Sequence, residues 1–163
     1  MIESSTIGEG RFLRLVSRGG WEFATRVNAT GVVAVIAVTE RDELILVEQH
    51  RPPIGASVIE LPAGLVGDGP SDRDEHGMDA AERELLEETG FVASRLLPAG
   101  VFLSSAGLTD ESVSFYIAHG VRREGAGVVS VGSRSLFTQF RFRVSFLGLR
   151  NGCEPASALM RRC

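Results

Sequence analysis

The sequence predicts an α+β fold, a mixed β-sheet with one central helix rather than a doubly wound parallel sheet. Three observations predict it. Most of the first 120 residues read as short apolar and β-branched runs broken by glycine, proline and acidic turns. Residues 79–89 alone have a strongly helical composition, rich in Ala, Leu, Glu and Arg. The 163 residues are 44% hydrophobic, enough for a single domain with its own core.

The elements follow in order. Residues 1–10 are polar and lack the apolar centre of a signal peptide. Residues 11–16 and 20–28 read as strands, with Trp21, Phe23, Thr25 and Val27 on one face and Gly19-Gly20 as the turn between. Residues 31–38 form a buried strand. Residues 40–43 are a polar turn and 43–49 the next strand, so a hairpin over 31–49 is expected. Pro52 and Pro53 make residues 51–55 a loop. A short strand at 58–61 ends at Pro62-Ala63-Gly64, followed by a Gly- and Asp-rich loop and then the helix. Gly90 follows the helix, where a left-handed backbone is cheap. Further strands are expected near 96–103 and 112–119.

Charge is divided unevenly. Residues 1–120 hold nine Arg against nineteen Asp or Glu, while residues 121–163 hold eight Arg against two Glu, and there is no Lys. An acidic body argues against a general nucleic-acid binder. The apolar run 32–38 is far too short to span a bilayer, so no membrane partner is expected. Cys153 and Cys163 are too few for a disulfide framework, and a cytoplasmic protein is expected. His50, His76 and His119 show no metal spacing.

On the predicted helix, Glu84, Glu87 and Glu88 stand at i, i+3 and i+4, so their carboxylates share a face. The three glutamates alone leave two readings, a solvated acidic face or a cation site: like charges so placed repel, and a divalent cation removes the conflict. Mg²⁺ takes oxygen ligands and suits carboxylates together with substrate phosphates. Arg83 reaches toward Glu87 at i+4.

The wider pattern is Gly69, five residues, Glu75, seven residues, then Arg83-Glu84-Leu85, Glu87-Glu88, Gly90 and Phe91. It resembles the Nudix box, the signature of hydrolases that cleave a diphosphate linked to another moiety. The Gly-rich stretch 64–69 leaves either Gly64 or Gly69 as the box glycine. Trp21-Glu22 with Arg26, the run from Glu48 to Pro53, the run from Glu60 to Leu65, and Gly107-Leu-Thr-Asp-Glu111 resemble the ADP-ribose or ADP-sugar pyrophosphatase branch. The resemblance covers residues 10–120 and implies the α/β/α Nudix sandwich, with N-terminal antiparallel strands at 11–28 and a core at 29–120.

The resemblance also implies roles. Glu84, Glu87, Glu88 and the carbonyl of Ala63 would hold Mg²⁺, with Mn²⁺ as the substitute. Trp21 would stack on adenine and Glu22 accept from its amino group. Arg26 and Arg51 would reach the phosphates, and Arg83 would serve the catalytic face. The expected reaction is hydrolysis of ADP-ribose or a related ADP-sugar to AMP and a sugar phosphate, by a homodimer. Two alternatives stand beside it: a Nudix scaffold that binds ADP-ribose with impaired turnover, and a hydrolase of another nucleoside diphosphate.

The family's general base is a Glu in an acidic loop after the strand that matches 112–119. Here that region offers only Glu124, and Glu111 before the strand is the other candidate, ranked first. Residues 140–146 alternate as a strand, and nothing after them reads as a long helix. The stretch 121–163 is therefore an atypical basic tail, of the kind a shifted reading frame produces.

Overall fold

The computed structural model describes residues 3–27, 29–67 and 74–127. Three antiparallel strands come first: β1 (Ser4–Glu9), β2 (Leu13–Arg18) and β3 (Trp21–Arg26). Gly19 and Gly20 turn the chain between β2 and β3 at φ 59° and 84°, a region where only glycine is unstrained. β1 has no apolar alternation and is exposed along its whole length. Its ladder to β2, not burial, holds it, which is why composition did not announce it.

The central sheet is built on β4 (Gly31–Thr39), which lies between β7 (Ala63–Val66) and β10 (Ser112–Arg123). β10 runs parallel to β4 and antiparallel to β8 (Phe91–Val92) and β9 (Arg95–Leu103). The sheet is mixed, as the sequence predicts. A parallel pair needs a long crossover, and that connection includes the helix α1 (Gly77–Thr89), the one helix among the described residues.

Two local expectations are corrected. The 31–49 hairpin begins, with a bridge from Val38 to Leu44, and then parts. A strand has two edges, and β7 and β10 take both edges of β4. The chain instead forms a separate hairpin of β5 (Val47–Arg51) and β6 (Ala56–Glu60) around Pro52-Pro53. The stretch after Pro62 is also a strand rather than loop, with Ala63 opposite Ala34 and Val66 opposite Gly31.

β4 has Val33, Val35 and Ala37 fully buried. Ala80, Ala81 and Leu85 of α1 join them in one core with Val66, Phe91, Leu96 and Ala118. Two alanines let the helix approach the sheet closely. Burying a side chain such as Leu85 contributes about 1.5–3 kcal/mol. Gly90 ends α1 at φ 73°, and its N–H donates to the Leu86 carbonyl. A Cβ there would also overlap the backbone of Gly125, so this position excludes side chains on two grounds. No helix among the described residues is long and apolar enough to cross a membrane.

Candidate active site

α1 lies along β7, and this packing presents the acidic face to the Ala63–Gly64 backbone. Glu88 is fixed by two donors: Gln49 Nε2 at 2.5 Å on Oε1 and the Ala63 N–H at 3.0 Å on Oε2. Burial pushes the Glu88 carboxyl up to about 7, against the pull of the Ala63 amide, and the neighbouring Glu84 charge adds to the rise. Glu84 is buried, and its carboxylate fills the space over Gly64 that a Cβ would take. Glu87 is different: its side chain is 54% exposed.

Arg83 organises the other end of this face. Its Nε donates to Glu75 Oε1 at 2.9 Å, Nη1 to Glu84 Oε1 at 2.7 Å, and Nη2 to the Leu65 carbonyl at 3.1 Å and Glu75 Oε2 at 3.2 Å. Nη1 also lies 3.4 Å from Glu87 Oε2. The expected i+4 partner is thus the longest of its contacts. Glu75 in turn accepts from the Gly67 N–H at 3.1 Å. The guanidinium hydrogen bond holds the Glu75 carboxyl below the usual range despite its burial, and Glu75 first among the carboxylates raises Arg83. Arg83 therefore fastens the β7 turn to the helix.

These residues fit a divalent cation in their chemistry. Glu84, Glu87, Glu88 and the Ala63 carbonyl are all hard oxygen donors, which suit Mg²⁺ or Mn²⁺. Glycine at 64 is what lets one of these carboxylates reach the strand backbone. Among the described residues no three His, Cys, Asp or Glu converge as they stand. The reason is visible in the contacts: Glu84 is engaged by Arg83, Glu88 by Gln49 and Ala63, and Glu87 lies outward.

A second group of predicted residues meets at the N-terminal sheet. Ala24 donates to the Leu108 carbonyl at 2.9 Å and bridges Thr109, so β3 docks on the 104–111 loop. Trp21, two-thirds exposed, lines a recess of about 190 Å³ with Arg18, Phe23, Gly107, Thr109 and Asp110. Glu22 is not among the lining residues, since neighbouring strand side chains alternate between faces. Arg26 donates to Glu111 Oε1 at 2.5 Å, and Arg51 to Glu60 Oε2 at 2.8 Å. Both predicted phosphate-reaching cations are paired with carboxylates.

Glu111 and Glu124 flank β10 at opposite ends, so a strand of 12 residues separates them. The Glu124 N–H donates to the Gly90 carbonyl at 2.9 Å, which anchors Glu124 beside the C-terminus of α1, two residues past Glu88. Its carboxylate is half exposed and 3.7 Å from Arg122 Nη2. Gly69, the alternative box glycine, and residues 128–163 of the basic tail lie outside the described residues.

With this geometry in hand, comparison with known proteins decides the family. The model of the NUDIX domain matches residues 28–134, well over half of the sequence. The chain belongs to the NUDIX domain family. This Nudix chain is 37% identical over 129 residues to a methanol dehydrogenase activator of Bacillus methanolicus, covering 76% of this chain and 67% of that protein. It is 39% identical over 92 residues to an ADP-ribose pyrophosphatase of Bacillus subtilis, covering 56% of this chain and 47% of that one. The match thus spans about half to two thirds of these relatives. A crystal structure of an ADP compounds hydrolase superposes with a TM-score of 0.58 at 21% identity, over 82% of this chain and 74% of that chain, which speaks for the Nudix fold.

The residue that sequence reasoning passed over is Gln49. It was visible only as part of a matched run. Its signal is position: it stands two residues before Arg51, on the same strand face.

Proposed function

We propose that this Nudix chain hydrolyses the diphosphate of ADP-ribose or a related ADP-sugar, giving AMP and a sugar phosphate. The observation that carries the reading is the seating of Glu84 and Glu88 on the Ala63–Gly64 backbone, one carboxylate at each residue. Relatives named as ADP-ribose pyrophosphatases support the substrate class. The Trp21 recess supports it too, because an exposed indole beside a loop offers a flat apolar face to a base.

Glu84, Glu87, Glu88 and the Ala63 carbonyl would hold Mg²⁺ or Mn²⁺. Such an ion polarises a diphosphate and lowers the pKa of its water. Arg83 keeps Glu84 oriented by a 2.7 Å hydrogen bond while Glu75 keeps Arg83 in place. Arg51 would exchange Glu60 for a substrate phosphate, which a guanidinium binds bidentately. Arg26 would do the same from Glu111. Trp21 would stack on adenine, with Glu22 turned to the opposite face of β3. Glu124, anchored beside the metal-holding end of α1, is the better placed base, and Glu111 is the alternative.

Homodimer formation is part of the same reading. The N-terminal sheet leaves Ile7, Phe12, Leu13 and Leu15 between 41% and 63% exposed, an apolar surface of the kind that subunits cover. We take the protein to be cytoplasmic, with no nucleic-acid or membrane partner. One observation favours a second reading, a scaffold that binds ADP-ribose with impaired turnover: residues 121–135 hold a single acid, Glu124.

The test is AMP release from ADP-ribose by the purified chain. Release that needs Mg²⁺ and is lost in Glu84→Gln supports the hydrolase. Binding of ADP-ribose without AMP release supports the scaffold, and neither binding nor release overturns the substrate class.

A further inference from the structure

Gln49 has no part in the roles assigned so far. Its side-chain amide donates to Glu88 Oε1 at 2.5 Å, while the Ala63 N–H takes Oε2 at 3.0 Å. Each oxygen of one carboxylate thus has a donor, and the two donors come from β5 and β7. Ionised carboxylates accept at several positions, so each oxygen keeps lone pairs for another ligand. A glutamate side chain has three torsions and samples several rotamers when left alone. Two fixed donors select one orientation.

We infer that Gln49 is a positioning residue: its amide holds the Glu88 carboxylate in the orientation that takes a divalent cation. The contact also ties the strand carrying Arg51 to the metal-holding face of α1. The inference rests on the reading of Glu88 as a metal ligand. Its chemistry suits the task. An amide donates a hydrogen bond without bringing a charge, so it orients Glu88 without competing with a cation for it, as an Arg or Lys would. Partners of this kind are typically worth ~10–100-fold in metal affinity. A contact that served only to join β5 to α1 would show as lost stability with metal affinity unchanged.

The experiment is Mn²⁺ titration of the purified chain, followed by electron paramagnetic resonance, with melting curves beside it. Gln49→Met keeps the length of the side chain and removes the N–H. It is expected to weaken Mn²⁺ binding by ~10–100-fold while still melting cooperatively. In a Glu88→Gln background the same substitution is expected to cause no further loss, because the group it orients is gone. Gln49→Asn keeps the amide but falls one methylene short of Glu88. It is the second variant should Gln49→Met not fold, and the same loss is expected. Wild-type Mn²⁺ affinity in a folded Gln49 variant, with Glu88→Gln impaired, overturns the positioning role and leaves the metal reading standing. Fully additive losses in the double variant overturn it as well. Wild-type affinity in Glu88→Gln itself overturns the metal reading, and this inference with it.

Discussion

The carboxylate of Glu84 sits where the side chain of residue 64 would be, so glycine at 64 is a condition of Glu84's position. The group that would be displaced is the end of a flexible side chain, not backbone. Gly64→Ala is therefore expected to fold, with Glu84 pushed aside. Misplacing a catalytic group by about 1 Å costs on the order of 10²-fold. The expected result is a kcat lowered about 100-fold with a melting temperature near that of the wild type. A Gly64→Ala variant with wild-type kcat would show that Glu84's position is immaterial to turnover.

Glu84→Gln and Glu88→Gln are each expected to remove nearly all Mg²⁺-dependent AMP release while leaving the circular dichroism spectrum unchanged. An amide preserves the shape of both side chains but keeps only one acceptor oxygen, so at residue 88 it can serve only one of the two donors, Gln49 Nε2 and the Ala63 N–H. It removes the negative charge that a hard cation requires. Full activity in either variant would sink the assignment of that residue as a metal ligand.

Glu75 carries a stability prediction with a definite sign. Its carboxyl is lowered in the folded state, chiefly by the hydrogen bond from Arg83. A lowered folded value means that its contribution is present above the unfolded carboxylate range of ~4.3. The contribution is lost as pH falls below that range through the folded value. Glu75→Gln is expected to flatten the acid limb of the stability–pH curve and to destabilise the protein at neutral pH. Removal of Arg83 is expected to cost about 1.5–3 kcal/mol, the usual worth of hydrogen bonds to a charged group. Urea melts at pH 7 and below pH 4 check both. An acid limb unchanged by Glu75→Gln would refute the assignment.

Much of the fold and of the candidate site is legible in the sequence. The helix was written in residues 79–89, because its composition and its terminal Gly90 agree. The mixed sheet followed from short strands around one helix. What was not legible depended on pairing across the chain. β7 reads as a loop because Gly64 lacks β propensity, yet that glycine is kept for Glu84, which approaches from 20 residues away. The 31–49 hairpin failed because β7 takes Gly31–Ala34 on the same edge of β4 that Leu44 and Ile45 begin to pair. Glu84 and Glu87 share a helix face by spacing, but only packing against β7 decides that one is buried and the other exposed.

Trp21→Ala is expected to act on substrate choice and little on stability, since the indole is 67% exposed. Base stacking on an aromatic is worth ~1–3 kcal/mol in nucleic-acid sites, so KM for ADP-ribose should rise by roughly ten-fold or more. A diphosphate sugar without adenine should be affected much less. An equal rise for both substrates would reduce Trp21 to a packing residue.

The final prediction separates the two candidate bases. Glu111 and Glu124 stand at opposite ends of β10, about 40 Å apart along an extended chain. They cannot both serve one water. Glu124 is held by the Gly90 carbonyl at the end of α1 that carries Glu87 and Glu88. Glu111 is held by Arg26 at 2.5 Å, so its carboxylate is already engaged. Loss of a general base typically costs ~10²–10⁴-fold. Glu124→Gln is expected to lower kcat by that order with KM little changed. Glu111→Gln is expected to spare kcat and, by releasing Arg26, to alter KM. The opposite pattern would return the role to Glu111. If neither substitution slows a chain that turns over at an ordinary rate of ~1 s⁻¹ or more, the base comes from outside these two residues. If the unaltered chain is already slower than that by more than ten-fold, the impaired-turnover reading gains, and a chain with the tail from residue 121 restored to an acidic loop should recover the rate.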